Sequence, residues 1–116
     1  MAVRKGYETE MIRVRQVITD MGEKSTASIR AAVNALVSAK PEMADLSRQY
    51  EKEVDSIYEA IDEELIITIA TQQPLASDLR FIVASLKIAS EIERTADYGN
   101  NIAKIVQKKL AKLDPE

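Results

Sequence analysis

An all-α fold, an up-down-up antiparallel three-helix bundle, is predicted by three observations. Apolar residues recur three and four apart over most of the length, the period of a helix with one buried face. Glycine and proline number three each and aromatics make up 4%, too little turn and strand material for a sheet protein. Pro41 and Pro74 cut the chain into three segments of similar length. At 116 residues these segments have room for one core, so residues 1–116 read as a single domain.

The first helix is expected from about Tyr7 to Ala39. Met11, Val14, Ile18 and Met21 form its apolar stripe, and Ile29, Val33 and Leu36 continue it after a polar stretch at Ser25 and Thr26. Gly22 is its weak point, a place for a bend or a close helix contact. Lys40-Pro41 ends this segment, and Pro41 with Glu42 suits the first turn of the next. The second helix is expected from about Glu42 to Thr71, with Met43, Tyr50, Val54, Ile57, Ile61 and Leu65 toward the core. Tyr50 and Tyr58 read as seam residues with their hydroxyls at the edge. Gln72-Gln73-Pro74 breaks this helix, Ser77 or Asp78 serves as the next N-cap, and the third helix runs to about Ala111. Helices of this length are each about 45 Å long at 1.5 Å per residue.

Composition then restricts the chemistry. Net charge is −3, against the clustered cations that phosphate backbones require, so no nucleic-acid partner is expected. Lys104, Lys108, Lys109 and Lys112 are the one basic cluster, placed to complement the dipole at the end of the third helix and to solvate it. No apolar run reaches the length of a membrane span. With no cysteine and no signal peptide the expected location is cytoplasmic. Histidine is absent as well, which removes Ser-His-Asp triads, histidine bases and the usual zinc sites. Any metal must be held by oxygen.

Against that background Glu93 and Asp97 stand out. Leu79 and Leu86 open a row at seven-residue steps whose next members are Glu93 and Asn100, where a simple core helix would carry Leu or Ile. Residues four apart on a helix lie side by side, with Cβ atoms about 6 Å apart, so Glu93 and Asp97 can converge on one cation or one basic partner. Glu51 and Asp55 repeat the spacing in the second helix. The same residues also read as a solvated acidic face, with Arg48 or Lys52 pairing the second-helix carboxylates and Arg94 or Lys104 neutralising those of the third. Asp78 and Arg80 read as a helix-capping carboxylate and its partner.

Gln72-Gln73-Pro74-Leu75-Ala76-Ser77-Asp78-Leu79-Arg80, then Glu91-Ile92-Glu93-Arg94-Thr95-Ala96-Asp97 and Asn101-Ile102-Ala103, resemble the PhoU family of phosphate-uptake regulators. The likeness extends to Glu51-Lys52-Glu53-Val54-Asp55, Ala60-Ile61-Asp62-Glu63 and Val17-Ile18-Thr19-Asp20-Met21-Gly22. It implies a three-helix PhoU domain whose Glu/Asp-xxx-Asp motifs, paired between two helices, can hold a multinuclear metal cluster. Residue by residue, the implied metal ligands are Glu51, Asp55, Glu93 and Asp97, with Asn100, Asn101, Asp78 and Arg80 as accessory positions. Four carboxylates suit a hard ion: iron, Mn²⁺, Mg²⁺ or Ca²⁺. Family members commonly carry two tandem copies of the unit, and this chain resembles the first: either it is a fragment, or it is a stand-alone half for which a homodimer is expected to supply the second copy.

The function implied by the resemblance is regulatory and non-catalytic. It is a cytoplasmic adaptor that represses the phosphate-starvation response by contacting the ATPase of a phosphate transporter and a membrane-bound sensor histidine kinase. Two alternatives stay open: a metal-dependent phosphate-ester hydrolase and a purely structural helical module. The hydrolase lacks the basic clamp or glycine-rich loop that phosphoryl chemistry ordinarily uses.

Overall fold

The computed structural model describes the backbone of residues 2–112 and the side chains of residues 6–112. Three helices, α1 (Ala2–Val37), α2 (Ala44–Gln72) and α3 (Ala76–Lys112), pack side by side in up-down-up order, as the apolar periodicity requires. No strand occurs among the described residues. The molecule is a rod of 69 × 17 × 17 Å.

Both connections are short and chemically specified. At the end of α1, Lys40 N–H bonds to the Ala35 carbonyl (3.0 Å) and Ala39 takes a left-handed conformation (φ 56°), which closes the helix in a Schellman-type turn. A single 3₁₀ turn, Pro41–Met43, then leads into α2, with proline where its missing N–H does no harm. α2 ends at Gln72, and Gln73 turns left-handed (φ 47°) directly before Pro74. The expected chain break at Gln72-Gln73-Pro74 is therefore realised. α3 begins at Ala76, earlier than the expected cap at Ser77 or Asp78, and those two residues occupy its first turn, where the Asp78 charge suits the helix dipole.

The core has two apolar compartments separated by a polar layer. One compartment gathers Tyr7, Met11, Val14 and Met21 from α1, Val54, Ile61 and Leu65 from α2, and Ile82, Ala89 and Ala96 from α3. The other is lined mainly by small residues: Ala32, Ala35, Ala44, Ala103 and Val106. Between them Ser25, Ser28, Ser47 and Gly99 are buried. Ser28 Oγ donates to the Ser47 carbonyl (2.9 Å), Ser47 Oγ donates to the Gly99 carbonyl (3.1 Å), and Ser25 Oγ donates to the Ile92 carbonyl (3.1 Å). Each hydroxyl is thus satisfied inside the bundle, where an unpaired one would cost about 1–3 kcal/mol.

This layer changes the expected registers. The buried face of α1 continues through Ser25, Ser28, Ala32 and Ala35, leaving Val33 42% and Leu36 54% exposed. Small residues line most of this interior, and at Gly99 the helices approach too closely for even a Cβ. On α3 the buried row is Ile82, Ser85, Ala89, Ala96, Gly99, Ala103 and Val106. The row Leu79, Leu86, Glu93, Asn100 therefore flanks the core, and Leu79 is 38% exposed. Met43 falls in the 3₁₀ turn and is also exposed. α1 runs through Gly22 without a break, and a Cβ there would meet only Ile92 Cδ1 at 4.0 Å, so the close helix contact is at Gly99 and not at Gly22.

A Cβ at Gly99 would lie 2.5 Å from Ser28 Oγ and 3.1 Å from both Ile29 N and Ser28 C, two of them backbone atoms of α1. Gly99→Ala is expected to destabilise the fold by about 1–3 kcal/mol through overpacking. Gly22→Ala, with room for its methyl, is expected to stabilise it by about 0.5–1 kcal/mol. Urea unfolding of the two variants checks both signs, and equal behaviour would contradict the assignment of the close approach to Gly99.

Candidate metal centre on the α2–α3 face

Antiparallel packing determines which carboxylates meet. The Ser47–Gly99 hydrogen bond sets α2 against α3, which brings Glu51, one turn along α2 from Ser47, toward Asp97, two residues before Gly99, and Asp55 toward Glu93, one turn further on in each helix. Carboxylate oxygens of Glu51, Glu93 and Asp97 all lie within 4.8 Å of one another. Asp55 joins them by accepting a hydrogen bond from Glu93. All four side chains are half-buried.

The sequence leaves two fates open for these residues, a solvated face or a convergent cluster, and the geometry is that of a cluster. None of the four carboxylates forms an ion pair among the described residues. Arg94 instead reaches its own helix neighbour Glu91 (4.0 Å), and Arg48 donates to Gln107 Oε1 (3.4 Å). Lys104 opposes the group's negative charge through its field on Glu51. The remaining cross-helix pairs, Arg13–Glu64 and Lys24–Glu53 (3.1 Å), fasten α1 to α2 at other positions.

Gathering like charges out of water raises their proton affinity. Glu93 is pushed up to about 7, first by loss of hydration, then by the charge of Asp97 and by hydrogen bonds and charge from Asp55. Glu51 is raised by burial, then by its hydrogen bond to Asp97 and by the Asp97 and Asp55 charges, with Lys104 opposing. In the absence of a cation, protons shared between carboxyl groups relieve the repulsion.

The accessory positions separate into near and far. Asn100 sits one turn beyond Asp97, and its Oδ1 is buried with no hydrogen-bond partner. Asn101 is exposed, turned a further 100° around the helix. Asp78 and Arg80 stand in the first turns of α3, about 20 Å along the helix from Glu93, too far to touch the cluster. Near Asp78, its carbonyl accepts from Tyr7 Oη (3.3 Å), and Arg15 lies over the Phe81 ring (4.8 Å to the centroid). Ser28, Ser47 and Gly99, which set the helix register, are the positions that an apolar-stripe reading passes over. Their signal is the run of small residues Ala89, Ala96, Gly99 and Ala103 at helical spacing, which marks a narrow interface.

The raised proton affinity of Glu93 has a stability consequence with a definite sign. Below its ordinary value of 4.5 the group is protonated in both folded and unfolded chains; as pH rises from there through about 7, the unfolded chain releases the proton first. Folding stability contributed at low pH is therefore lost across that window. In chelator, the melting temperature is expected to fall between about pH 5 and about pH 8, and Glu93→Gln is expected to flatten the fall. A melting temperature that rises across this range in the unsubstituted protein would contradict the cluster's electrostatics.

Comparison with known proteins identifies the family of the chain. A family model described as PhoU domain matches residues 18–106, a span containing both carboxylate pairs and the serine layer. The phosphate-specific transport system accessory protein PhoU homolog of Rhizobium meliloti is 34% identical over 104 residues, covering 90% of this chain and 44% of that protein. Homologs of the same name from Zymomonas mobilis (31% over 102 residues, 88% and 43%) and Pseudomonas aeruginosa (30% over 102 residues, 88% and 42%) are similar to it as well. The chain spans less than half the length of these curated relatives. No solved structure matches it. With the three-helix architecture and a family model running through all three helices, the chain belongs to the PhoU domain family.

Proposed function

We propose that this chain is a phosphate-transport accessory module, a non-catalytic regulator that binds a hard metal ion between α2 and α3. The observation that carries the reading is the convergence of Glu51, Asp55, Glu93 and Asp97 inside the segment matched by the PhoU domain model. The donor set fits such an ion. Oxygens within 4.8 Å of one another are no farther apart than about two metal–oxygen bonds to a single ion, and four carboxylates supply the charge that Mg²⁺, Mn²⁺, Ca²⁺ or iron requires. When bound, the ion supplies compensating charge and joins the two helices. Glu51 and Asp55 would hold it from α2, Glu93 and Asp97 from α3.

The partners in this reading are the ATPase of a phosphate transporter and a sensor histidine kinase, met in the cytoplasm, and the relatives' name as accessory proteins of phosphate-specific transport supports the first of them. No helix of the described residues is long and apolar enough to cross a membrane. A homodimer would supply the second three-helix unit. Exposed Ile66, Ile67, Leu79 and Val83 at one end of the α2–α3 pair provide an apolar surface for it. Phosphate-ester hydrolysis fits less well: all three glycines lie within helices, so no glycine-rich phosphate loop exists among the described residues, and none of the four carboxylates has an ion-paired cation among them that could serve as a basic clamp.

Mn²⁺ is expected to raise the melting temperature of chelator-stripped protein, and Glu93→Ala with Asp97→Ala is expected to abolish that rise while leaving helical circular dichroism intact. An unchanged metal response in the double variant would sink the site. Affinity capture with the transporter ATPase and the kinase cytoplasmic region, set beside a phosphatase assay with Mn²⁺, distinguishes adaptor from hydrolase. Sedimentation at micromolar concentration is expected to give a dimer that Leu79→Glu with Val83→Glu dissociates, and a monomeric parent protein would remove the homodimer from the proposal.

A further inference from the structure

We propose that Asn100 is a fifth, neutral oxygen ligand of the cation site, its Oδ1 completing a shell of four carboxylates. The inference rests on the cation reading of the cluster and adds a residue of a different chemical type. Asn100 shares the Leu79–Leu86–Glu93 row on α3 and stands one turn beyond Asp97. Two contacts between α2 and α3 lie directly before it on α3: Ser47 with the Gly99 carbonyl, and Glu51 with Asp97, whose side chain is its neighbour one turn away on the same helix face. Asn100 therefore belongs to the same α2–α3 seam as the carboxylates.

Its Oδ1 is a buried side-chain oxygen that accepts no hydrogen bond. Buried carbonyl oxygens are almost always paired, because an orphan costs about 1–3 kcal/mol. The other buried polar side chains of this layer, Ser25, Ser28 and Ser47, all have partners inside the bundle. Ser85 and Thr68 are satisfied as well, through the Phe81 carbonyl and Glu10. An acceptor left over beside a group of carboxylates cannot be satisfied by those carboxylates when ionised, since they offer no proton. A hard cation satisfies both. An amide oxygen is an ordinary ligand for such ions and adds coordination without adding to a charge already at four carboxylates. A fifth oxygen also suits ions that take six or more oxygen ligands.

Asn100→Leu keeps the side-chain volume and removes the oxygen, whereas Asn100→Asp keeps an oxygen in place. With Mn²⁺ as the probe, calorimetric titration is expected to show Asn100→Leu binding about tenfold or more weakly than the parent chain, and Asn100→Asp binding at least as tightly. In chelator, the melting temperature of Asn100→Leu is expected to be unchanged or higher, because the orphan oxygen is gone. Parent-like Mn²⁺ affinity in Asn100→Leu overturns the proposal. So does a weakened affinity accompanied by a lower melting temperature in chelator, which marks a packing role. Glu93→Ala with Asp97→Ala, titrated alongside, separates the two levels: if that variant loses Mn²⁺ while Asn100→Leu does not, the site stands and Asn100 leaves it. If the parent chain itself binds no Mn²⁺, both fall.

Discussion

The closeness of α1 to α3 at Gly99 is the constraint on which the remaining geometry depends. With no Cβ at this position, Ser28 can lie against the α3 backbone, and from there it reaches Ser47 on α2, which in turn donates to the Gly99 carbonyl. Three helices are thereby tied at one level. Helices packed only through apolar side chains can slide or rotate at modest cost, because hydrophobic burial is nondirectional. Directional hydrogen bonds inside a dry layer remove that freedom, since a shift leaves buried polar groups unpaired.

Register is what the carboxylates need. Glu51 lies one turn beyond Ser47 on α2, and Asp97 lies just before Gly99 on α3, so the serine–glycine tie places the first pair, and helix geometry places Asp55 and Glu93 one turn further on. The cluster opposes folding when no cation or proton is present. It persists because the larger apolar compartment, with Met21, Val14, Val54, Leu65 and Ile82 fully buried, contributes about 1.5–3 kcal/mol for each large side chain. Surface pairs such as Lys24–Asp20 (4.0 Å) contribute little by comparison. The cluster occupies the α2–α3 face while α1 packs behind it. A change in its charge therefore acts first on that pair of helices, the face that also carries exposed Leu79 and Val83.

How much was legible in the chain differs from residue to residue. The three helices, their breaks near Pro41 and Pro74, and the outward-facing lysines of α3 follow from local chemistry, which periodicity and proline express directly. The larger apolar compartment followed for the same reason. The smaller one did not, because a stripe of Ala, Ser and Gly carries little hydropathy signal, so Val33 and Leu36 were read inward when the close approach of the helices turns them outward. Glu93 and Asp97 were visible as polar members of an apolar row. Their meeting with Glu51 was visible only through the family resemblance, because spacing within one helix says nothing about the neighbouring helix. Asp78 and Arg80 belong to the same quoted motif, yet helix length carries them about 20 Å from the cluster.

By itself the sequence determined the all-α class, the order and approximate ends of three helices, membership of a known domain family, and a donor chemistry limited to oxygen. Each of these depends on residue type and on spacing along one helix, which the chain states explicitly. Only the tertiary structure decided that Gly99 and not Gly22 is the point of closest approach, and that three carboxylates from two helices lie within 4.8 Å. It also decided that Asn100 keeps a buried oxygen without a donor while Asn101 faces solvent. Those outcomes depend on the rotation and register of one helix against another, and both were settled by small residues whose effect exists only when a second helix is present to approach them.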